Sequence, residues 1–163
     1  MFTLHLMLIG LIADTHGYLD PRITPAFEGV EAIVHAGDLG STAILEALGE
    51  TAPVYAVRGN NDDKIGGLGL PMQEDFQLAG VHFHLVHQLP QARPTPDTDV
   101  VVFGHSHRAL IERRGDVLFI NPGAAGRVGF HRVQTVAMMD ADRGLVRDTR
   151  IVELGVRERR TAG

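Results

Sequence analysis

Residues 6–17 read Leu6-Met7-Leu8-Ile9-Gly10-Leu11-Ile12-Ala13-Asp14-Thr15-His16-Gly17. Apolar and glycine positions run without a polar break, then stop at an acid, a hydroxyl, an imidazole and a glycine. A short apolar run with no polar alternation is the pattern of a strand covered on both faces. It falls short of the roughly 20 apolar residues needed to span a bilayer. It also lacks the basic flank and small-residue cleavage site of an export signal. The polar stop then marks the carboxyl end of a buried strand, which is where sites form in open α/β sheets.

The same grammar repeats along the chain. Residues 32–36 stop at Gly37-Asp38, and residues 53–57 stop at Arg58-Gly59-Asn60-Asn61-Asp62. Residues 81–86 stop at His87, and residues 99–103 stop at Gly104-His105-Ser106-His107. Between them, Ser41 is placed to cap a helix running through Ala47 and Leu48, with Gly49 near its end. Residues 76–78 pair with 81–86 around Ala79-Gly80, residues 110–113 pair with 117–120, and 133–139 pair with 145–152. The glycine-rich residues 66–71 and the proline-bearing stretch after Pro90 read as loops. The fold class is α/β with few helices, and there are more strands than one small sheet would use, so two packed sheets are expected. Residues 1–155 form a single domain and residues 156–163 a polar tail that frays.

Composition narrows the chemistry. The chain has 163 residues, 44% hydrophobic and 21% charged, which is ordinary for a folded domain. Its 15 basic and 20 acidic residues leave a net charge of −5, the wrong sign for a duplex nucleic-acid binder. Aromatics at 6%, with no tryptophan, argue against an extended base-stacking platform. There is no cysteine, so disulfides and thiolate metal sites are excluded. Any metal must be held by imidazole, carboxylate or amide, and nine histidines make that worth pursuing. The expected setting is soluble and cytoplasmic, with no membrane partner and with nucleic acid disfavoured.

Five strand ends therefore offer Asp14 and His16, Asp38, Asn60, His87, and His105 with His107. In an extended segment alternate residues share a side, so Asp-x-His and His-x-His could each send two side chains to one place. These segments in this order resemble the calcineurin-like metallophosphoesterase superfamily, and the chain's length is similar to its small single-domain prokaryotic phosphodiesterase branch. The resemblance covers residues 6–123. It implies a four-layer sandwich of two mixed sheets flanked by helices, and a phosphodiesterase, acting also on monoesters, that works with two divalent metal ions. It further implies that Asp14, His16 and His107 hold the first metal, that Asn60, His87 and His105 hold the second, and that Asp38 bridges both. A metal-bridging hydroxide would attack phosphorus, with Asp38, Asn60 and His105 as the catalytic assignments. Manganese is the metal the resemblance favours, and the imidazole and carboxylate donors equally admit iron, zinc, cobalt or nickel. Self-association to a homo-oligomer is in keeping with the family.

Two positions depart from that pattern. Asn61 stands where many members carry a histidine that protonates the leaving group, so esters with good leaving groups are expected to react best. Gln88 follows His87 where glycine is usual, which makes His87 the ligand most open to displacement. The other histidines, His5, His35, His82, His84 and His131, read as packed or surface residues, with His35 supporting the Gly37-Asp38 loop and His82 and His84 facing solvent. Asp62 is expected to brace the site from behind. Arg58, Arg108 and Arg127 are each candidates for meeting a substrate phosphate, while Arg157, Arg159 and Arg160 read as solvated. Asn121-Pro122-Gly123 reads as a structural turn. The competing reading is a non-catalytic binding scaffold, as in a eukaryotic retromer subunit of the same superfamily.

Overall fold

A computed structural model describes residues 5–159. Two five-stranded mixed sheets lie face to face. The first contains β1 (Met7–Ile12), β2 (Ala32–His35), β3 (Val54–Ala56), β9 (Val133–Asp142) and β10 (Leu145–Val156), in the spatial order β10-β9-β1-β2-β3. Strands β1, β2 and β3 are parallel, while β9 runs antiparallel to both β1 and β10. The second sheet contains β4 (Gln73–Leu78), β5 (Val81–Val86), β6 (Val100–Val102), β7 (Leu110–Arg114) and β8 (Val117–Asn121), in the order β4-β5-β6-β8-β7. Its central strands β5, β6 and β8 are parallel.

The period of two in the strands explains the layering. Ile9, Leu11 and Ala13 of the first segment, Val34, and Ala137 and Met139 meet Phe83, Leu85, Val100, Val102 and Ile120 from the other sheet, all buried. The alternate residues Ile12, Ile33, Val136 and Met138 face the other way, against Ile23, Phe27, Ile44 and Leu48. Those four come from two helices, α1 (Ile23–Ala26) with the turn after it, and α2 (Thr42–Gly49). α2 starts as expected, with the Ser41 side chain accepting a hydrogen bond from Ala43 N–H at 3.0 Å. On the far face of the second sheet, Val86, Val101 and Phe103 are covered by a single 3-10 turn, Leu89–Gln91.

Several expectations shift in detail. β4 starts at Gln73 and β9 and β10 run to Asp142 and Val156, because polar residues on an outer face do not interrupt backbone pairing. β10 therefore continues through Val156, the first residue of the tail expected to fray, and Arg157 N–H still bonds Arg132 O at 2.8 Å. Arg160 and the rest of that tail lie outside the described residues, as do residues 1–4. His84 does not face solvent: it is fully buried, its Nδ1 2.8 Å from an Asp75 carboxylate oxygen and its Nε2 accepting from Arg93 N–H at 3.1 Å. The bulged loop after β5 covers that face, which strand alternation alone cannot reveal. Among the described residues, no helix is long and apolar enough to cross a membrane.

Candidate metal centre

The carboxyl ends of β1, β2 and β3 in one sheet and of β5 and β6 in the other point to the same edge of the sandwich. All seven candidate ligands sit on the turns that follow these strands. The turns are not extended. Asp14, His16, Asp38, His105 and His107 have φ values of 56°, 47°, 55°, 73° and 60°. These five are among only eight non-glycine residues with positive φ among the described residues. Asp-x-His and His-x-His therefore bring their outer residues together through left-handed turns rather than through strand alternation. Left-handed backbone costs about 1–3 kcal/mol at such residues and persists where the surroundings over-determine it. Here backbone bonds do so: Asp14 N–H donates to Gly37 O, His16 N–H to Asp38 O and Gly17 N–H to Leu39 O.

Two carboxylates occupy the middle of the centre. Asp14 is fully buried and Asp38 nearly so. His16 Nε2 lies 3.8 Å from Asp14 Oδ1 and 3.7 Å from Asp38 Oδ2. On the other side, His87 Nε2 lies 3.9 Å from Asp14 Oδ1 and 3.3 Å from Asp38 Oδ2. His107 Nε2 approaches Asp14 Oδ1 at 3.4 Å. One group of Asp14, His16 and His107, and a second of Asp14, Asp38 and His87, are each tight enough to share one ion. His105 packs edge-on to His87 with ring centroids 5.2 Å apart, and its Nδ1 is 3.1 Å from Asn60 Oδ1. The two groups thus bring together Asp14, His16, Asp38, His87 and His107, and His105 with Asn60 adjoins them beside His87.

The surroundings tune these groups. Burial by itself would raise the Asp38 carboxyl, but the His87 imidazole 3.3 Å away and two N–H bonds from Asn61 outweigh it and hold it well below the usual carboxylate range. Burial would lower His87, but the carboxylates of Asp38 and Asp14 beside it raise it. Burial lowers the pKa of His16 despite the two acids beside it. The His87 ring donates Nδ1–H to Ala36 O at 2.7 Å, which turns a bare Nε2 toward the acids. Gln88 has not displaced it. The donor set fits divalent cations on a structural ground. Asp14 Oδ1, His16 Nε2 and His87 Nε2 are buried with no hydrogen-bond partner, three of the six such side-chain atoms among the described residues. Buried polar atoms are normally satisfied, and a cation between them answers all three.

A scaffold of polar side chains holds the turns. Asp62 is fully buried and accepts from Leu39 N–H, Gly40 N–H and Gly59 N–H at 2.9–3.1 Å. It so ties the turn carrying Asp38 to the one carrying Asn60. His35 Nδ1 accepts from Gly37 N–H at 3.1 Å, so its Nε2 carries the proton and donates it to Thr15 Oγ1, which passes its own to Leu39 O. A Cβ at Gly59 would fall 2.1 Å from Asp38 Oδ1, so only glycine lets the chain pass this acid. Two residues do more than their sequence signal suggested. Asn61 donates its backbone N–H to Asp38 Oδ1 at 2.9 Å and its side-chain Nδ2–H to Asp38 Oδ2 at 2.8 Å. Asn121 is more than a turn residue: its Nδ2 reaches Gly104 O and Ser106 Oγ, bracing the loop of His105 and His107. The three arginines separate. Arg58 is tied to Asp63 and Leu70 O, and Arg127 lies 3.7 Å over the Tyr18 ring, while Arg108 remains exposed beside His107.

The chain matches the family model described as "Calcineurin-like phosphoesterase superfamily domain" over residues 7–144. It is 35% identical over 135 residues to a probable metallophosphoesterase of Methanothermobacter thermautotrophicus, covering 72% of this chain and 77% of that protein. It is 31% identical over 139 residues to a phosphodiesterase of Methanocaldococcus jannaschii, covering 72% of this chain and 83% of the relative. The solved structure of Chaetomium thermophilum Vps29 superimposes with a TM-score of 0.71 at 19% identity, covering 93% of this chain and 97% of that one, a likeness of fold alone. The family match begins at the first residue of β1 and ends in the turn before β10, so it takes in both sheets and every strand end that feeds the centre, and on that ground the chain belongs to the calcineurin-like phosphoesterase superfamily.

Proposed function

We propose that this protein is a phosphoester hydrolase that acts on phosphodiesters, and on monoesters as well, with two divalent cations held by Asp14, His16, Asp38, Asn60, His87, His105 and His107. The observation that carries this reading is the set of three buried, partnerless donor atoms on Asp14, His16 and His87, converging from both sheets. Asp38 is placed to be shared, with His16 at 3.7 Å on one side and His87 at 3.3 Å on the other. When bound, such ions acidify a water to make the attacking hydroxide and neutralise charge on the phosphoryl oxygens. First-row metals suit these donors, and manganese is the one to load first.

The chain's own residues supply the rest. Asn60 and His105 stand at the open side of the centre, where an amide N–H and an imidazole can meet phosphoryl oxygens. The backbone N–H and one side-chain N–H of Asn61 are committed to Asp38, so Asn61 orients that carboxylate, and an amide at this position supplies no acid to protonate a leaving group. Aryl and other activated esters are the favoured substrates on this reading.

The relatives named as phosphodiesterase and metallophosphoesterase support it. The scaffold alternative has the Vps29 fold likeness in its favour, but all seven ligand positions here hold competent donors. The test is to load the purified protein with Mn²⁺ and assay bis(p-nitrophenyl) phosphate and p-nitrophenyl phosphate, with elemental analysis alongside. Turnover and two metal equivalents are expected. A protein that holds no metal and turns over neither ester with any first-row divalent ion would establish the scaffold instead.

A further inference from the structure

Beside the centre lies a cavity of about 480 Å³, walled by His105, His107 and Arg108 on one side and by Gly129, Phe130 and His131 on the other. The first wall carries proposed ligands, and nothing in the proposed chemistry uses the second. That second wall belongs to a strap, residues 126–131, anchored to Asp14 at its first residue and closed on itself at its last. Gly126 N–H donates to Asp14 O at 3.0 Å, and the His131 ring donates Nε2–H to Gly126 O at 2.8 Å. Between these anchors the strap passes directly under a ligand: a Cβ on Gly129, at φ +128°, would fall 2.3 Å from His107 Nδ1. Phe130 is therefore held one residue from contact with the imidazole of His107. Its side chain is 103% exposed, the whole ring in water.

A single exposed apolar residue ordinarily needs no explanation. This one stands on an anchored strap at the rim of the cavity beside the candidate metal centre. Arg108 faces the same space and has no carboxylate within 4 Å among the described residues. A flat aromatic surface and an unneutralised guanidinium on opposite walls of one cavity are complementary to a group that is planar and apolar at one end and anionic at the other. We propose that Phe130 and Arg108 form a subsite for a planar aromatic ester group of the substrate, with the ring stacked on Phe130. This rests on the phosphoesterase reading and deepens it by naming a substrate class, aromatic phosphoesters. A nucleobase and a simple aryl ring share that chemistry.

Binding measured by calorimetry on the Mn²⁺-loaded protein tests it without turnover. Phenylphosphonate is expected to bind about tenfold more tightly than methylphosphonate, an ordinary stacking increment. Phe130→Ala should abolish that preference while leaving methylphosphonate affinity within about twofold, and Phe130→Trp should retain it. Because the ring touches only solvent, folding is not at stake in either variant. Comparing adenosine 5′-monophosphate with ribose 5-phosphate separates the two sources. A Phe130-dependent preference for the nucleotide points to a nucleobase, and a preference confined to phenylphosphonate points to a small aryl group. Equal binding of the phenyl and methyl anions by the wild type, or a preference that survives Phe130→Ala, overturns this inference and leaves the hydrolase reading standing. Failure of every anion to bind overturns both.

Discussion

Asn61 gives its backbone N–H and one side-chain N–H to the two oxygens of Asp38, so the acid between His16 and His87 is oriented by a neutral amide. Groups that orient a ligand in this way are worth 10–100-fold in metal affinity. Asn61→Ala is accordingly expected to weaken Mn²⁺ binding by about 10–100-fold in a calorimetric titration, and unchanged affinity would remove Asn61 from this role. His35 makes a different prediction. Complete burial depresses its pKa from the ordinary 6.5 to about 3. Between these values the unfolded chain binds a proton that the native state refuses, so stability falls as pH drops below 6.5, by up to about 1.4 kcal/mol per pH unit. Urea unfolding of metal-free protein at pH 5 and pH 7 should show a smaller acid penalty for His35→Gln than for wild type. Parallel losses in both would contradict the assignment. At this scale the sequence was legible where residue type limits the chemistry: the acids and imidazoles at strand ends could be named because few other roles suit them there. Asn61 could only be read as a missing acid, since an amide can serve many ends and its partner lies 23 positions away. His84 misled for a similar reason, being enclosed by Asp75 and the loop of Arg93 rather than by its own strand.

The loops that carry the ligands are held from below by one side chain. Asp62, the third residue of the short helix Asn60–Asp63, accepts an N–H from its own helix entry at Gly59 and two more from the turn after β2. Removing it leaves three backbone donors without partners in a closed space, at about 1 kcal/mol or more apiece. Asp62→Ala should therefore destabilise the protein by about 3 kcal/mol or more, read as a lowered urea midpoint with an unchanged slope. A loss under about 1 kcal/mol, within the range of ordinary surface changes, would show that water takes over these bonds. Strands β1, β2 and β6 were readable because burial on both faces writes an unbroken apolar run. The four-residue helices Ile23–Ala26 and Asn60–Asp63 were not, because a single turn shows no amphipathic period and both depend on tertiary contacts. The left-handed turns were equally hidden, since aspartate and histidine do not announce positive φ as glycine does.

The whole molecule places parallel strands from two sheets so that their carboxyl ends share one edge, and neither sheet alone carries a complete set of ligands. Asp14, His16, Asp38 and Asn60 come from the first sheet, while His87, His105 and His107 come from the second. Cations bound between them would cross-link the two layers, and binding to the native state alone would stabilise it. The two-sheet plan followed from counting strands, whereas the shared edge could be inferred only because the same kind of residue ended each run. The decisive measurement is anomalous diffraction from a crystal soaked in Mn²⁺. The account predicts two peaks about 3.5–4 Å apart, both touching Asp38, with His16 and His107 about one and His87, His105 and Asn60 about the other. No peak at this edge, or a lone peak remote from Asp14 and Asp38, would contradict it.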